Sequence, residues 1–133
     1  MFDCKKFREI QGYIDKNTSL SKIIAISKNH PINPVFEAIN CGVRDFGENK
    51  VQEAIRKFEP LLKKYPEISL HLTGPLQTNK VKDALKIFKF FHTLDREKLA
   101  REFSKHPSII KTKNFFIQVN TGKEQSKSGV LPE

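Results

Sequence analysis

Short apolar runs alternate along this chain with segments whose apolar residues recur every three or four positions. Residues 2–16 set Phe2, Phe7, Ile10 and Ile14 on one stripe, weakened by Gly12, and predict an amphipathic helix. Asn17, Thr18 and Ser19 break it. Ile23, Ile24, Ala25 and Ile26 form a run rich in β-branched side chains. Such a run predicts a strand over about 22–27, buried on both faces. Asn33 and Pro34 have the form of a helix N-cap and first helical residue, and Val35, Ala38 and Ile39 give the buried face. Gly42 is the expected left-handed stop.

The alternation continues. Residues 43–46 predict a second strand, ended by Gly47. Asn49 and Gln52 are spaced as a capping-box variant, with Asn49 as N-cap. Val51, Ala54, Ile55, Phe58, Leu61 and Leu62 then fall on one helical face, and Pro66 closes the following loop. Residues 68–72 predict a third strand, and Thr73-Gly74-Pro75 a turn. Thr78 or Asn79 caps a helix striped by Val81, Ala84, Leu85 and Phe88. Residues 90–93 predict a fourth strand. Asp95 caps a helix with Leu99, Ala100 and Phe103 inward, which His106-Pro107 ends. Residues 113–119 predict a fifth strand and 120–129 a polar loop. Residues 130–133 read as the start of another element.

A helix, four β-α units and a fifth strand demand a parallel sheet with right-handed crossovers. Two α/β architectures fit. One is an open doubly wound sheet; the other is a (β/α)8 barrel, TIM-barrel-like, cut short after about five strands. A complete barrel needs roughly 200–250 residues, and this chain has 133. No Gly-rich phosphate fingerprint follows the first strand, which counts against a dinucleotide-binding sheet. Residues 1–133 are read as a single, partial barrel domain.

Composition changes this picture little. The chain has 38% apolar residues, in patterned positions, which excludes disorder. No apolar run approaches the ~20 residues of a membrane span, so no membrane partner is expected. No signal-type apolar segment follows Met-Phe-Asp-Cys-Lys-Lys at the N-terminus, so the chain is expected in the cytoplasm. Cys4 and Cys41 are too few and too far apart for a metal site or a disulfide framework and are expected as reduced thiols. The net charge is +9, with most of the excess beyond residue 79. A basic nucleic-acid binder is one reading of that charge. The lysines, however, are interleaved with apolar helix positions, and zinc-finger spacing and an aromatic RNA-binding signature are missing. No nucleic acid is therefore expected as a partner.

The chemistry gathers where the first strand opens into Ser27, Lys28, Asn29 and His30. In α/β folds, function sits at the carboxyl ends of parallel strands. A partly desolvated lysine there can lose its proton and attack a carbonyl.

Four stretches carry a family resemblance. They are Ile24-Ala25-Ile26-Ser27-Lys28; Arg44-Asp45-Phe46-Gly47-Glu48-Asn49-Lys50-Val51-Gln52-Glu53; His71-Leu72-Thr73-Gly74-Pro75-Leu76-Gln77-Thr78-Asn79-Lys80; and Ile117-Gln118-Val119-Asn120 with Ser126-Lys127-Ser128-Gly129. Together they resemble the pyridoxal phosphate homeostasis proteins, relatives of the alanine racemase N-terminal barrel. The resemblance implies a single-domain (β/α)8 barrel, monomeric when complete. It implies that pyridoxal 5′-phosphate is held as a lysine Schiff base without catalytic turnover, with acceptor enzymes as partners. Residue by residue, Lys28 matches the Schiff-base lysine and Asn49 a residue beside the cofactor ring. His71 and the Thr73-Gly74 turn match the mouth of the third strand. Lys127 matches a second family lysine in the loop after the fifth strand.

Two departures qualify this. The position two after Lys28, often lysine or arginine in the family, is His30 here. Nothing in 1–133 matches the family's phosphate-holding strands and loops, so the chain alone is expected to bind the cofactor weakly. The resemblance also admits a racemase-type enzyme as an alternative. Racemization normally wants a second acid–base residue on the opposite ring face. The only tyrosines, Tyr13 and Tyr65, fall in or beside helices, which favours the carrier.

Overall fold

The computed structural model describes residues 1–18 and 20–133. Ser19, read as part of the first helix break, lies outside the described residues. Five parallel strands form one sheet in the order β1-β2-β3-β4-β5. They are β1 (Ala25–Ile26), β2 (Asp45–Glu48), β3 (Ser69–Leu72), β4 (Phe90–Leu94) and β5 (Asn114–Ile117). A doubly wound sheet reverses its strand order at a switch point. This sheet never does, so its winding is that of a (β/α)8 barrel with five strands in place.

The helices are α1 (Cys4–Asn17), α2 (Ile32–Asn40), α3 (Val51–Lys64), α4 (Val81–Ile87), α5 (Glu97–Ser104) and the single-turn α6 (Pro107–Ile110). A 3-10 turn, Thr78–Lys80, leads into α4. One face of the sheet packs on the helices. Phe46 on β2 meets Phe58 of α3 at 5.6 Å between ring centroids, and Phe91 on β4 meets Phe103 of α5 at 5.1 Å. Phe115 stacks on Phe91, closing the core beneath β5. Leu70, Leu72, Ala54, Val81 and Leu99 fill the space between.

The other face is open. Alternation along a strand sends Phe46 and Glu48 toward the helices and Asp45, Gly47 and Asn49 away from them. The first strand was expected to be buried on both faces, but Ile26 is 49% exposed, and β1 keeps only two register pairs with β2. A strand paired on one side, with no opposing strands across its inner face, cannot be buried twice. Phe116 (50%) and Ile117 (66%) are exposed on β5 for the same reason. Beyond β5, Val119 makes one isolated parallel bridge to Val130, and residues 131–133 form no strand or helix.

Two helix starts differ from the pattern. Helix α2 begins at Ile32 behind Pro31, and Pro34 sits in its first turn, where a missing N–H costs nothing. Helix α3 is preceded by Lys50 with no side-chain cap bond, so the Asn49–Gln52 capping box is not made. Gln52 reaches Asp83 on α4 instead, at 3.3 Å. Gly42 is left-handed, with φ of 103°, as a helix stop requires.

The cysteines correct the expectation of two free thiols. Cys4 and Cys41 form a disulfide, their Cα atoms 5.8 Å apart. A separation of 37 residues is closed because α1 lies against the end of α2, where Phe2 N–H donates to Glu37 at 2.7 Å. Helix α1 has no buried residue of its own, so this bond and the partly buried Phe2 and Phe7 hold it in place. Reduction should therefore lower unfolding free energy by about 2–4 kcal/mol. It should release the α1 amides in hydrogen exchange while the β2–β4 amides stay protected; equal loss in both regions would contradict this.

Candidate functional site

The mouth at the carboxyl ends of β1, β2 and β3 collects the chemistry. Lys28 stands in the turn two residues beyond the end of β1, and Asn49 directly follows the end of β2, the strand with which β1 pairs. Lys28 is exposed, not partly desolvated as a strand-end position in a closed barrel suggests. Its backbone is nonetheless held on both sides. Ser27 N–H donates to Gly47 C=O at 3.0 Å, and Asn29 N–H donates to the Glu53 carboxylate at 3.1 Å.

Asn49 is half-buried, and its side-chain oxygen is buried without a hydrogen-bond partner. Since α3 has no side-chain cap, capping does not account for Asn49. Gly74 lies directly against it. A Cβ on Gly74 would fall 2.6 Å from both the Cβ and the carbonyl oxygen of Asn49. Glycine there is what allows the β2 and β3 ends to close together.

His71 lies deeper, within β3. Its Nε2–H donates to Asp45 at 2.8 Å, and its ring stacks on Phe90 with centroids 4.2 Å apart. With Nε2 protonated in the neutral ring, Nδ1 accepts, so the 2.9 Å contact has His92 Nε2–H donating to it. His92 stacks in turn on Phe116. His71 is therefore a buried link in an Asp45–His71–His92 chain lining the open face. Burial pushes His71 below the ordinary imidazole value, with Asp45 opposing and Lys22 assisting; burial and then His71 push His92 down.

Lys127 is exposed in the loop after β5, at the opposite edge of the sheet from Lys28. That loop is organised by Asn120, whose side chain donates to the Glu124 carbonyl at 2.8 Å, and by Gln118, which donates to the Ser128 carbonyl at 3.2 Å. The structure thus sets Gly74 against Asn49, with Lys28 beyond the adjacent strand end and His71 deeper in β3, while Lys127 precedes Ser128, which lines the same cavity as Asn49.

A cavity of about 760 Å³ opens beside Asn49, lined also by Lys50, Gln77, Lys80, Arg96 and Ser128. Arg96 is fixed in it by Asp95 and by the Leu76 carbonyl, both at 2.7 Å. Lys28 does not line this cavity. Sequence reasoning missed Lys50, Lys80 and Arg96 because each reads singly as a surface cation. It also missed Lys57, whose spacing from Glu53 on one helix was the available signal. Among the described residues no cluster could hold a metal ion, and no helix is long and apolar enough to cross a membrane. An accessible amine, an unpartnered amide oxygen and a basic cavity suit an anionic carbonyl compound.

The sheet winding and the residues at its mouth define a (β/α)-barrel domain with a lysine at the end of the first strand. A family model described as "Alanine racemase, N-terminal domain" matches residues 5–133, and the chain belongs to that family. Among curated proteins, the pyridoxal phosphate homeostasis protein of Vibrio cholerae is 40% identical over 115 residues, covering 84% of this chain and 49% of the relative. That of Buchnera aphidicola is 45% identical over 103 residues, covering 77% and 51%. The chain spans about half the length of the curated relatives it matches. Among solved structures, PipY of Synechococcus elongatus without PLP is 31% identical with a TM-score of 0.81, over 97% of this chain and 58% of PipY. PipY with PLP bound is 32% identical with a TM-score of 0.70, over 85% and 53%.

The histidine chain sets a pH dependence. In the folded state both rings are held neutral, so the unfolded chain takes up protons first as pH falls below the ordinary 6.5. The stability they contribute is complete above that value and is lost as pH falls through their lowered values. Urea midpoints should drop between about pH 7.5 and pH 5.5, and the double variant His71→Gln, His92→Gln should flatten the slope. An unchanged slope in that variant would contradict the assignment.

Proposed function

We propose that this chain binds pyridoxal 5′-phosphate through Lys28 and serves cofactor homeostasis without catalytic turnover. The observation that carries the reading is the unpartnered Asn49 oxygen directly beyond β2, with the exposed Lys28 amine in the turn beyond the neighbouring β1. The relatives named as pyridoxal phosphate homeostasis proteins and the PLP-bound PipY structure support it. Bound pyridoxal phosphate supplies an electrophilic aldehyde. Lys28 would hold the cofactor through its side-chain amine, the nucleophile that suits an aldehyde. Asn49 orients the ring from the β2 end, and His71 supports the floor through Asp45 and His92. Gly74 keeps Asn49 in place. Lys127 acts, in this reading, in handing the cofactor to acceptor enzymes. Residues 1–133 make up one part of the barrel domain, and the complete protein is a monomer in the cytoplasm, where the Cys4–Cys41 bond is kept reduced.

The carrier reading is favoured over a racemase by the relatives named as homeostasis proteins. Tyr13 lies on α1 and Tyr65 follows α3, so neither tyrosine stands at a strand end as a second acid–base group. Mixing the chain with pyridoxal 5′-phosphate in an excess that offsets its expected weak binding should produce an absorbance band that Lys28→Ala lowers roughly tenfold or more. Lys127→Ala should leave the band and slow transfer to an acceptor apoenzyme. A band unaffected by Lys28→Ala, or racemization of amino acids by the loaded protein, would overturn the proposal.

A further inference from the structure

Beneath the Lys28 turn, on the helix side of the sheet, lies a buried charge cluster that no packing requirement explains. Glu48, at the end of β2, is fully buried, and its Oε1 sits 2.6 Å from Lys57 Nζ on α3. Lys57 is itself nearly buried and lies 3.5 Å from Glu53, one helical turn earlier. Replacing a buried ion pair by apolar side chains is often neutral or stabilising, so such a pair is a poor way to gain stability alone. The remaining bonds of the cluster lead to a single place. Ser27 Oγ donates to Glu48 Oε1 at 2.9 Å. Lys57 Nζ donates to the Ser27 carbonyl at 2.8 Å. Asn29 N–H donates to Glu53 at 3.1 Å. Both neighbours of Lys28 are thus tied to the cluster.

The turn needs such restraint. Asn29 holds a left-handed backbone, with φ of 61°. A non-glycine residue persists there when its surroundings over-determine it. The Asn29 amide is also the largest cause holding the Glu53 carboxyl below its ordinary value, against its partial desolvation. Lys28 itself makes no side-chain hydrogen bond or ion pair among the described residues, so the backbone is fixed while the amine stays free.

We infer that Glu48, Lys57 and Glu53 are positioning residues that fix the Lys28 turn from behind the sheet and present its amine to the open face. The inference rests on the reading of Lys28 as the cofactor lysine. The cluster acts on the opposite side of β1 and β2 from anything Lys28 would bind.

The test combines two readouts on the full 133-residue chain. The first is reductive trapping with pyridoxal 5′-phosphate and cyanoborohydride, mapped by mass spectrometry as the ratio of adduct at Lys28 to adduct at the exposed Lys63. The second is amide exchange at Asn29. Glu53→Ala should lower the ratio about fivefold or more and speed Asn29 exchange about tenfold. Glu53→Gln, which keeps an acceptor oxygen, should restore most of the ratio. The neutral double variant Glu48→Gln, Lys57→Met avoids an unpaired buried charge and should lower the ratio as Glu53→Ala does. A ratio that survives both Glu53→Ala and the double variant overturns the inference, as does unchanged Asn29 exchange in Glu53→Ala. Absence of any Lys28 preference in the unsubstituted chain overturns the cofactor reading instead.

Discussion

Strand alternation sorts the chemistry of this chain from its packing. On one side of the sheet Phe46, Leu70, Leu72 and Phe91 meet the helices and supply the core. On the other, Asp45, His71, His92 and Asn49 face an open concavity that aromatic rings partly line. Neither face could do the other's work. The helix face must exclude water to stabilise a parallel sheet. The open face must keep polar groups within reach of a ligand.

One exception to that sorting is informative. Glu48 points toward the helices, where apolar residues otherwise dominate, and is fully buried there with Lys57 as its partner. Removing one partner of such a pair costs about 3–5 kcal/mol, so the pair is locked once formed. Its hydrogen bonds run through the sheet end to Ser27, and those of Glu53 to Asn29. A helix three elements further along the chain thereby controls the turn after the first strand. The coupling is local and stereochemical, carried by side chains in direct contact.

Much of the architecture was legible in the sequence because its apolar periods are clean. All five strands and the helices between them stand close to where alternation puts them, and family motifs at the strand ends identified the barrel. What was not legible depended on distance in space. The Cys4–Cys41 bond required knowing that α1 returns to the end of α2. The failure of Asn49 as a cap required the true start of α3. The partners of His71 lie 26 residues before it and 21 after it, joined only by strand register. The brevity of β1 reflects an unpaired edge, which a run of isoleucines does not reveal. Glu48 and Lys57, nine residues apart, read as ordinary surface charges until the sheet end and α3 are seen to enclose them.

The central claim is that Lys28, held from behind and open in front, is the residue that captures the cofactor. Its most direct measurement is a crystal structure of this chain grown with pyridoxal 5′-phosphate. The account requires continuous density joining the aldehyde carbon of the cofactor to Lys28 Nζ. It also requires the Asn49 side chain against the ring and the Ser27 and Asn29 bonds to the charge cluster intact. Cofactor joined to another lysine, or seated in the basic cavity with Lys28 uninvolved, would contradict it.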